Sequence, residues 1–224
     1  GCSRRMAGYI DACTMHTTHG RSLAFATGIK LSNPSLTVVD VMGDGDCSAI
    51  GGNHFIHACR RNIDITAIVM NNNIYGMTGG QASPTTPRGS LATTAPYGAI
   101  EPNFDICRLA EGAGASYVAR ATIANPKQAE TFIKKGIQKK GFSVIEIVSS
   151  CHTQYGRRNK RRTPIENINF FKENSVAFEK SKTMTREELE GKIIIGEFVN
   201  KDVPEYTDQY LALISRVQGR GESR

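Results

Sequence analysis

Tryptophan is missing from the 224 residues, and no apolar stretch approaches the ~18 residues that a membrane-crossing helix requires. No secretion-signal pattern opens the sequence. Six cysteines are present without the rhythm of a disulfide framework. With a soluble α/β pattern, that points to a reducing cytoplasm. Internal repeats are absent. Acidic residues fall short of basic ones, 21 against 28, which leaves a formal net charge of +7. The excess is gathered in Arg157, Arg158, Lys160, Arg161 and Arg162. No nucleic-acid motif or aromatic-interleaved basic face accompanies this run. It reads as a solvated or subunit-contacting loop facing an acidic protein, with a basic nucleic-acid-binding module as the rival reading.

What is present suffices for one α/β domain with a sizeable core. The organising stretch runs from Val38 to Gln81. Leu36–Met42 reads as a buried strand that stops at Gly43-Asp44-Gly45, where glycines let the backbone turn sharply and approach a ligand. A helix is expected over roughly Ser48 to Arg60, then a second strand over Ile63–Met70 that ends in Asn71-Asn72-Asn73. Both strand ends then share the carboxyl edge of a parallel sheet, where α/β folds bind ligands. Asp44 offers a carboxylate and Asn72 an amide oxygen, the hard donors that Mg2+ takes alongside a phosphate. The helix between them offers its first N–H groups and its dipole to that phosphate.

Gly43-Asp44-Gly45, a helix, a strand and then Asn72 resemble the thiamin diphosphate signature. The continuation Ile74-Tyr75-Gly76-Met77-Thr78-Gly79-Gly80-Gln81 resembles the 2-oxoacid:ferredoxin oxidoreductase family, in its cofactor-binding β subunit. The likeness runs from Gly1 to about Asn159. It implies a Mg2+ ion held by Asp44, Asn72 and the carbonyl of Ile74. Gly43, Gly45, Asp46 and Cys47 would line the diphosphate, with Tyr75, Gly76, Thr78 and Gly79 closing over it and His19 and Gly20 near the cofactor. It puts Arg5, His19 and Met77 at the reacting centre, Arg5 holding the substrate's carboxylate. Read by residue type alone, Asp46 is equally a helix N-cap, His19 a helix-start residue and Arg5 a surface arginine.

The resemblance further implies a [4Fe–4S] cluster ligated by Cys2, in Gly-Cys-Ser-Arg-Arg, and by Cys151, in Ser-Cys-His-Thr. By composition alone each is a buried or free thiol. The family's remaining two ligands form a Cys-x-x-Cys pair ahead of this turn, so they are expected from a preceding segment or from another chain. The family usually has Pro after the later cysteine, and His152 departs from that. The acid that activates the aminopyrimidine is, in the family, a Glu of the partner α subunit. No Glu lies within the motifs here, so the chain alone is expected to be inactive. The implied reaction is oxidative decarboxylation of a 2-oxoacid to an acyl-coenzyme A and CO2, with ferredoxin as acceptor. The two adjacent arginines and the Tyr-Gly-Met-Thr-Gly-Gly-Gln run favour 2-oxoglutarate. A non-redox thiamin diphosphate-dependent decarboxylase or carboligase is the alternative within enzymes.

For the remainder, Asp11–Asn33 carries a mostly buried helix closed by Asn33-Pro34. Ala82–Phe104, rich in Pro, Ser and Thr, reads as a lid or partner-contact loop. A helix over Asp105–Ala113, a strand over Ser116–Arg120, a helix from Asn125-Pro126 and a strand over Phe142–Ser149 complete a doubly wound, mostly parallel α/β sheet. Residues 1–156 form the cofactor domain. Residues 157–224 form an extension that packs on a neighbouring subunit, with Ile193–Val199 as an edge ribbon. Cys13, Cys59 and Cys107 read as packing residues on helical segments.

Overall fold

Apolar runs bounded by glycine and asparagine become parallel strands, and their common direction decides where the functional loops emerge. The computed structural model describes residues 2–219. In chain order these form α1 (Ser22–Ser32), β1 (Val39–Gly43), α2 (Gly52–Arg61), β2 (Thr66–Asn71), α3 (Ile106–Ala113), β3 (Tyr117–Thr122), α4 (Pro126–Gln138) and β4 (Ser143–Val148). There follow α5 (Pro164–Asn174), β5 (Ser175–Ala177), α6 (Phe178–Ser181), α7 (Arg186–Leu189), β6 (Ile193–Asn200) and α8 (Tyr206–Gly219). Helical turns at Cys2–Gly8, Asp46–Ile50 and His152–Gly156 flank the strand ends.

The sheet has the order β1-β2-β4-β3-β6-β5. Its first four strands are parallel, and β6 joins β3 antiparallel. Side chains alternate between the faces, as the two-residue period of a strand requires. Ala67, Val69, Val118 and Val144 pack with α1, α2 and α3 through Leu23, Phe55 and Ile106. Ile68, Ala119, Ala121, Ile145 and Ile147 pack beneath Phe132 of α4. Every residue of β3 and β4 is buried, the pattern of strands covered on both faces.

Register sets the site. Gly43 pairs with Met70, and Asn71 with Val148, so β1, β2 and β4 end on one edge. The loops after them, starting at Asp44, Asn72 and Ser149, therefore emerge side by side. The C-terminal stretch is tied to the opposite edge through Asn62, which ends α2 in the left-handed region at φ 53°. Asn62 Nδ2 donates to the carbonyls of Val203 and Pro204, while its Oδ1 accepts from Ser116 Oγ and the Phe142 N–H.

Several local expectations shift. β1 begins at Val39, and Leu36 is exposed, because the turn after Asn33 delays the chain's entry into the sheet. α1 starts only at Ser22 and is not mostly buried. Leu23, Ala26 and Lys30 face inward, whereas Phe25 and Leu31 are exposed, because one side only reaches the sheet. Cys59 and Cys107 are buried helix residues as expected, but Cys13 is exposed on irregular chain. Ser83, Thr85 and Thr86, at the start of the loop read as a lid, are buried. In the basic run, the Arg158 guanidinium is held by Gln154, and that of Arg161 lies 3.8 Å from the Phe170 ring centroid.

Candidate functional site at the carboxyl edge

Asp44 follows β1 directly and is 2% exposed. Burial pushes its carboxyl above the ordinary range, and hydrogen bonds from Ser83 and Thr85 pull it partly back. Both hydroxyls bind one oxygen: Oδ2 lies 2.5 Å from Ser83 Oγ and 2.6 Å from Thr85 Oγ1. Oδ1 is thereby left for another use. One terminal atom of the Asn72 amide lies 3.3 Å from Asp44 Oδ1 and 2.6 Å from the Ile74 carbonyl oxygen. With nitrogen in that place, the amide donates to both neighbours. With oxygen there, it stands against two further acceptors, a grouping that a cation would relieve, and the Ile74 N–H is 3.3 Å from Asn72 Oδ1 to support that choice. Octahedral ligands 2.0–2.1 Å from Mg2+ stand about 3 Å apart along an edge, which the two spacings bracket. The donor set of Asp44, Asn72 and Ile74 therefore fits a hard divalent cation.

The turn that begins at Gly45 and Asp46 presents its first N–H groups without partners inside the helix, the arrangement that receives a phosphate. Any side chain at Gly45 would require the Tyr75 ring to move. A methyl there would stand 2.3 Å from the Tyr75 ring, whose hydroxyl donates to the Gly45 carbonyl at 3.3 Å. The cap position of this turn is Gly45, with Asp46 the first residue inside it. The Asp46 Oδ1 accepts from the Gly20 N–H at 2.5 Å and lies 2.6 Å from His19 Nδ1. The His19 ring meets Tyr75 edge-on, 6.0 Å between centroids. His19, Gly20, Gly45, Asp46 and Tyr75 are thus one assembly. Cys47 and Ser48 lie buried behind it, with Ser48 Oγ donating to the Asp44 carbonyl at 2.7 Å.

Two thiols meet over the next loop. A methyl group at Gly76 would lie 3.3 Å from Cys151 Sγ, 3.4 Å from Cys2 Sγ and 3.9 Å from Asn72 Nδ2. Cys2 and Cys151, far apart in sequence, therefore converge beside the Asn72 amide. Cys2 is exposed and Cys151 buried.

Other expected residues stand apart. Met77 is 56% exposed. Thr78 is exposed, and its hydroxyl is engaged by Gln81 Oε1 at 2.5 Å rather than by the Asp44 group. Arg5 is exposed and lines a surface cavity of about 590 Å3 with Arg4, Tyr9 and His16. Among the described residues no hydrogen bond or ion pair joins Arg5 to the assembly around Asp44.

Reading the sequence missed Ser83 and Thr85, which anchor the Asp44 carboxylate. The available signal was Ser83-Pro84-Thr85-Thr86, three hydroxyls around a proline soon after Gly80-Gln81. It missed Asn71 and Glu146 as well. It also missed Arg158 and Gln154, whose side chains would lie 2.9 Å from a methyl at Gly80 and so prop the loop from behind.

Asp40, also on β1, is 8% exposed, and its Oδ2 has no hydrogen-bond partner among the described residues. Burial pushes its carboxyl from 3.8 up to about 6, against a hydrogen bond with Ser22. The folded chain thus holds an extra proton between those two values. Stability falls as pH rises through that window, and a cost of about 3 kcal/mol is fully present above it. Asp40→Asn is expected to flatten this dependence between pH 4 and 6 and to raise unfolding free energy at pH 7.5 by about 1–3 kcal/mol. Urea unfolding at several pH values checks it, and an unchanged slope would place the titration elsewhere.

Comparison with known proteins places the chain among thiamin diphosphate enzymes. Residues 1–147 match the family model of the thiamine pyrophosphate enzyme, C-terminal TPP binding domain. The chain is 58% identical over 218 residues to 2-oxoglutarate synthase subunit KorB of Methanocaldococcus jannaschii, covering 97% of this chain and 81% of that one. It is 56% identical over 220 residues to the subunit of the same name from Methanothermobacter marburgensis, covering 98% and 77%. Among solved structures, the 2-oxoglutarate:ferredoxin oxidoreductase of Magnetococcus marinus, with 2-oxoglutarate, coenzyme A and succinyl-CoA bound, aligns with a TM-score of 0.85. That match is 31% identical and covers 97% of this chain and 75% of the other.

Proposed function

The chain belongs to the thiamin diphosphate-binding β subunits of the 2-oxoacid:ferredoxin oxidoreductases, and from that premise we propose what its own residues do in the reaction. The enzyme oxidatively decarboxylates a 2-oxoacid, 2-oxoglutarate by its relatives' names, to an acyl-coenzyme A and CO2 with ferredoxin as acceptor. The observation that carries the site reading is that one terminal atom of the Asn72 amide lies 3.3 Å from Asp44 Oδ1 and 2.6 Å from the Ile74 carbonyl oxygen.

Asp44, Asn72 and Ile74 hold Mg2+, and the ion ties down a diphosphate. The N–H groups of Gly45, Asp46 and Cys47 receive its oxygens, where helix-terminal dipoles favour negative charge. Ser83 and Thr85 keep Asp44 turned toward the ion. Gly43 ends β1, and the Tyr75–Gly79 loop covers the cofactor. His19, fixed by Asp46, stands at its edge; Arg5 and Met77, exposed and apart from this assembly, would meet the substrate rather than the cofactor. When bound, thiamin diphosphate supplies the carbanion that attacks the 2-oxo group and the electron sink that remains after CO2 departs.

Cys2 and Cys151 supply two thiolates to a [4Fe–4S] cluster whose other ligands come from outside the described residues. The pyrimidine-activating Glu comes from an α subunit. The extension over 157–224 contacts a partner subunit, a role that suits Tyr210, Leu211, Leu213 and Val217, all exposed on α8. Six free thiols suit the cytoplasm, and among the described residues no helix is long and apolar enough to cross a membrane.

The test is analysis of the assembled enzyme. It is expected to contain thiamin diphosphate, magnesium, iron and acid-labile sulfide, and to reduce ferredoxin with 2-oxoglutarate and coenzyme A. Cofactor without iron or sulfide would indicate a non-redox decarboxylase. Turnover by this chain alone, with cofactor and Mg2+, would refute dependence on the α subunit.

A further inference from the structure

Glu146 lies in the middle of the sheet, 2% exposed, on β4 between Val69 of β2 and Arg120 of β3. Its two oxygens serve different partners. Oε2 accepts from Arg120 Nε at 2.7 Å and from the Cys107 thiol at 3.3 Å. Oε1 accepts from Asn71 Nδ2 at 2.7 Å. Asn71 Oδ1 accepts from the Asn73 N–H at 3.0 Å and lies 3.0 Å from Thr85 Oγ1, which is in turn 2.6 Å from Asp44 Oδ2.

The polarity of this chain is forced. An ionised carboxylate only accepts, so Asn71 must turn its NH2 inward to Glu146 and its oxygen outward to the loop. The reversed amide would set its NH2 against the Asn73 N–H and its oxygen against Glu146. Arg120 closes the inner end by bridging Glu146 and Asp105. The ligand-type atoms of Asp105, Cys107 and Glu146 lie within 4.8 Å of one another, but this guanidinium serves them, so they form no metal site.

We infer that Glu146 is a positioning residue for the ion site: it fixes the Asn71 amide, whose oxygen holds the Asn73 N–H and shares the single Thr85 hydroxyl proton with Asp44, and so anchors the strand end from which Asn72 projects. It does so from inside the sheet, too deeply buried to touch a ligand. The inference rests on the reading of Asp44, Asn72 and Ile74 as ion ligands.

Glu146→Gln is nearly isosteric but cannot accept at both ends. With its oxygen toward Arg120, it presents NH2 to the NH2 of Asn71. In the assembled enzyme, Mg2+-supported affinity for thiamin diphosphate, measured by calorimetry, is expected to fall by about tenfold or more, the scale of effects on groups that orient metal ligands. Asn71→Ala is expected to do the same. Because Glu146 and Asn71 act in series, the double variant should bind within about twofold of the weaker single one. The loss of thermal stability that Glu146→Gln causes through Arg120 should appear with or without Asn71. If Glu146→Gln does not fold, Asn71→Ala cuts the same path while sparing the Arg120 pair, and the same loss of affinity is expected.

Unchanged affinity in these variants, or losses that multiply in the double variant, would overturn the inference and leave Glu146 as a structural partner of Arg120. Wild-type enzyme that binds thiamin diphosphate without regard to Mg2+ would instead remove the ion-site reading itself.

Discussion

Asp44→Ala is expected to strip the assembled enzyme of thiamin diphosphate while leaving the chain folded. The two halves of that result have separate causes. One carboxylate oxygen faces the Asn72 amide, which in turn lies against the Ile74 carbonyl, so its removal takes away the only formal charge among the three proposed ligands. Cofactor affinity should fall by more than the roughly 10–100-fold typical of changes one shell further out. Stability behaves differently. The buried carboxyl is held above its ordinary range by desolvation, so the folded chain gains little from its charge. Truncation leaves Ser83 and Thr85 without their shared acceptor, at about 1–3 kcal/mol, and relieves the desolvation in return. Thermal midpoints in the absence of cofactor should therefore shift by only a few degrees. Cofactor content after gel filtration, measured beside the melting curve, separates the effects. Full occupancy in Asp44→Ala would exclude this carboxylate as an ion ligand.

Cys151→Ser should produce the opposite pattern, with the cofactor kept and the iron lost. Cys151 packs with Ile74, Ala92 and Tyr155, where a hydroxyl is tolerated, and Thr153 Oγ1 lies 3.6 Å from its sulfur. A hydroxyl is a poor replacement for a thiolate on iron, and a [4Fe–4S] cluster takes four thiolates. Visible absorbance and iron content should drop to near background, and ferredoxin reduction with them. Mg2+-dependent binding of thiamin diphosphate should stay within about twofold of wild type. Iron content equal to wild type would leave Cys151 as a packing residue and remove this chain's share of the cluster.

The sequence displayed whatever depends on neighbours along the chain. Strands and helices follow from runs such as Ile63–Met70 and from stops such as Gly43-Asp44-Gly45, and these produced the parallel sheet and its ligand edge. Asp44 and Asn72 were legible because strand ends carry their residues to one edge by register alone. Ser83 and Thr85 were not, because a hydroxyl in a loop reads the same whether it faces water or a buried carboxylate. Glu146 did leave a trace: a lone charge inside Val144-Ile145-Glu146-Ile147. Its counterpart Arg120 interrupts β3 in the same way, but only the register that sets the two side by side reveals the pair. His19 was placed near the cofactor by family likeness, whereas its bond to Asp46 needed the folded turn.

The antiparallel pairing of β6 with β3 has a consequence for biosynthesis. β3 and β4 carry the most thoroughly enclosed residues of the sheet, yet the free edge of β3 is covered by residues 196–200, made long after Thr122. At roughly 5–20 residues per second, a ribosome takes several seconds to bridge that interval. Throughout it, the nascent polypeptide displays an open row of backbone donors and acceptors flanked by apolar side chains, a template for unwanted strand addition. The site loops at Asp44, Asn72 and Cys151 have already been translated by then. Chaperone engagement is therefore expected to concentrate on chains arrested between about residues 150 and 200, and to end once β6 has emerged and zipped the edge shut.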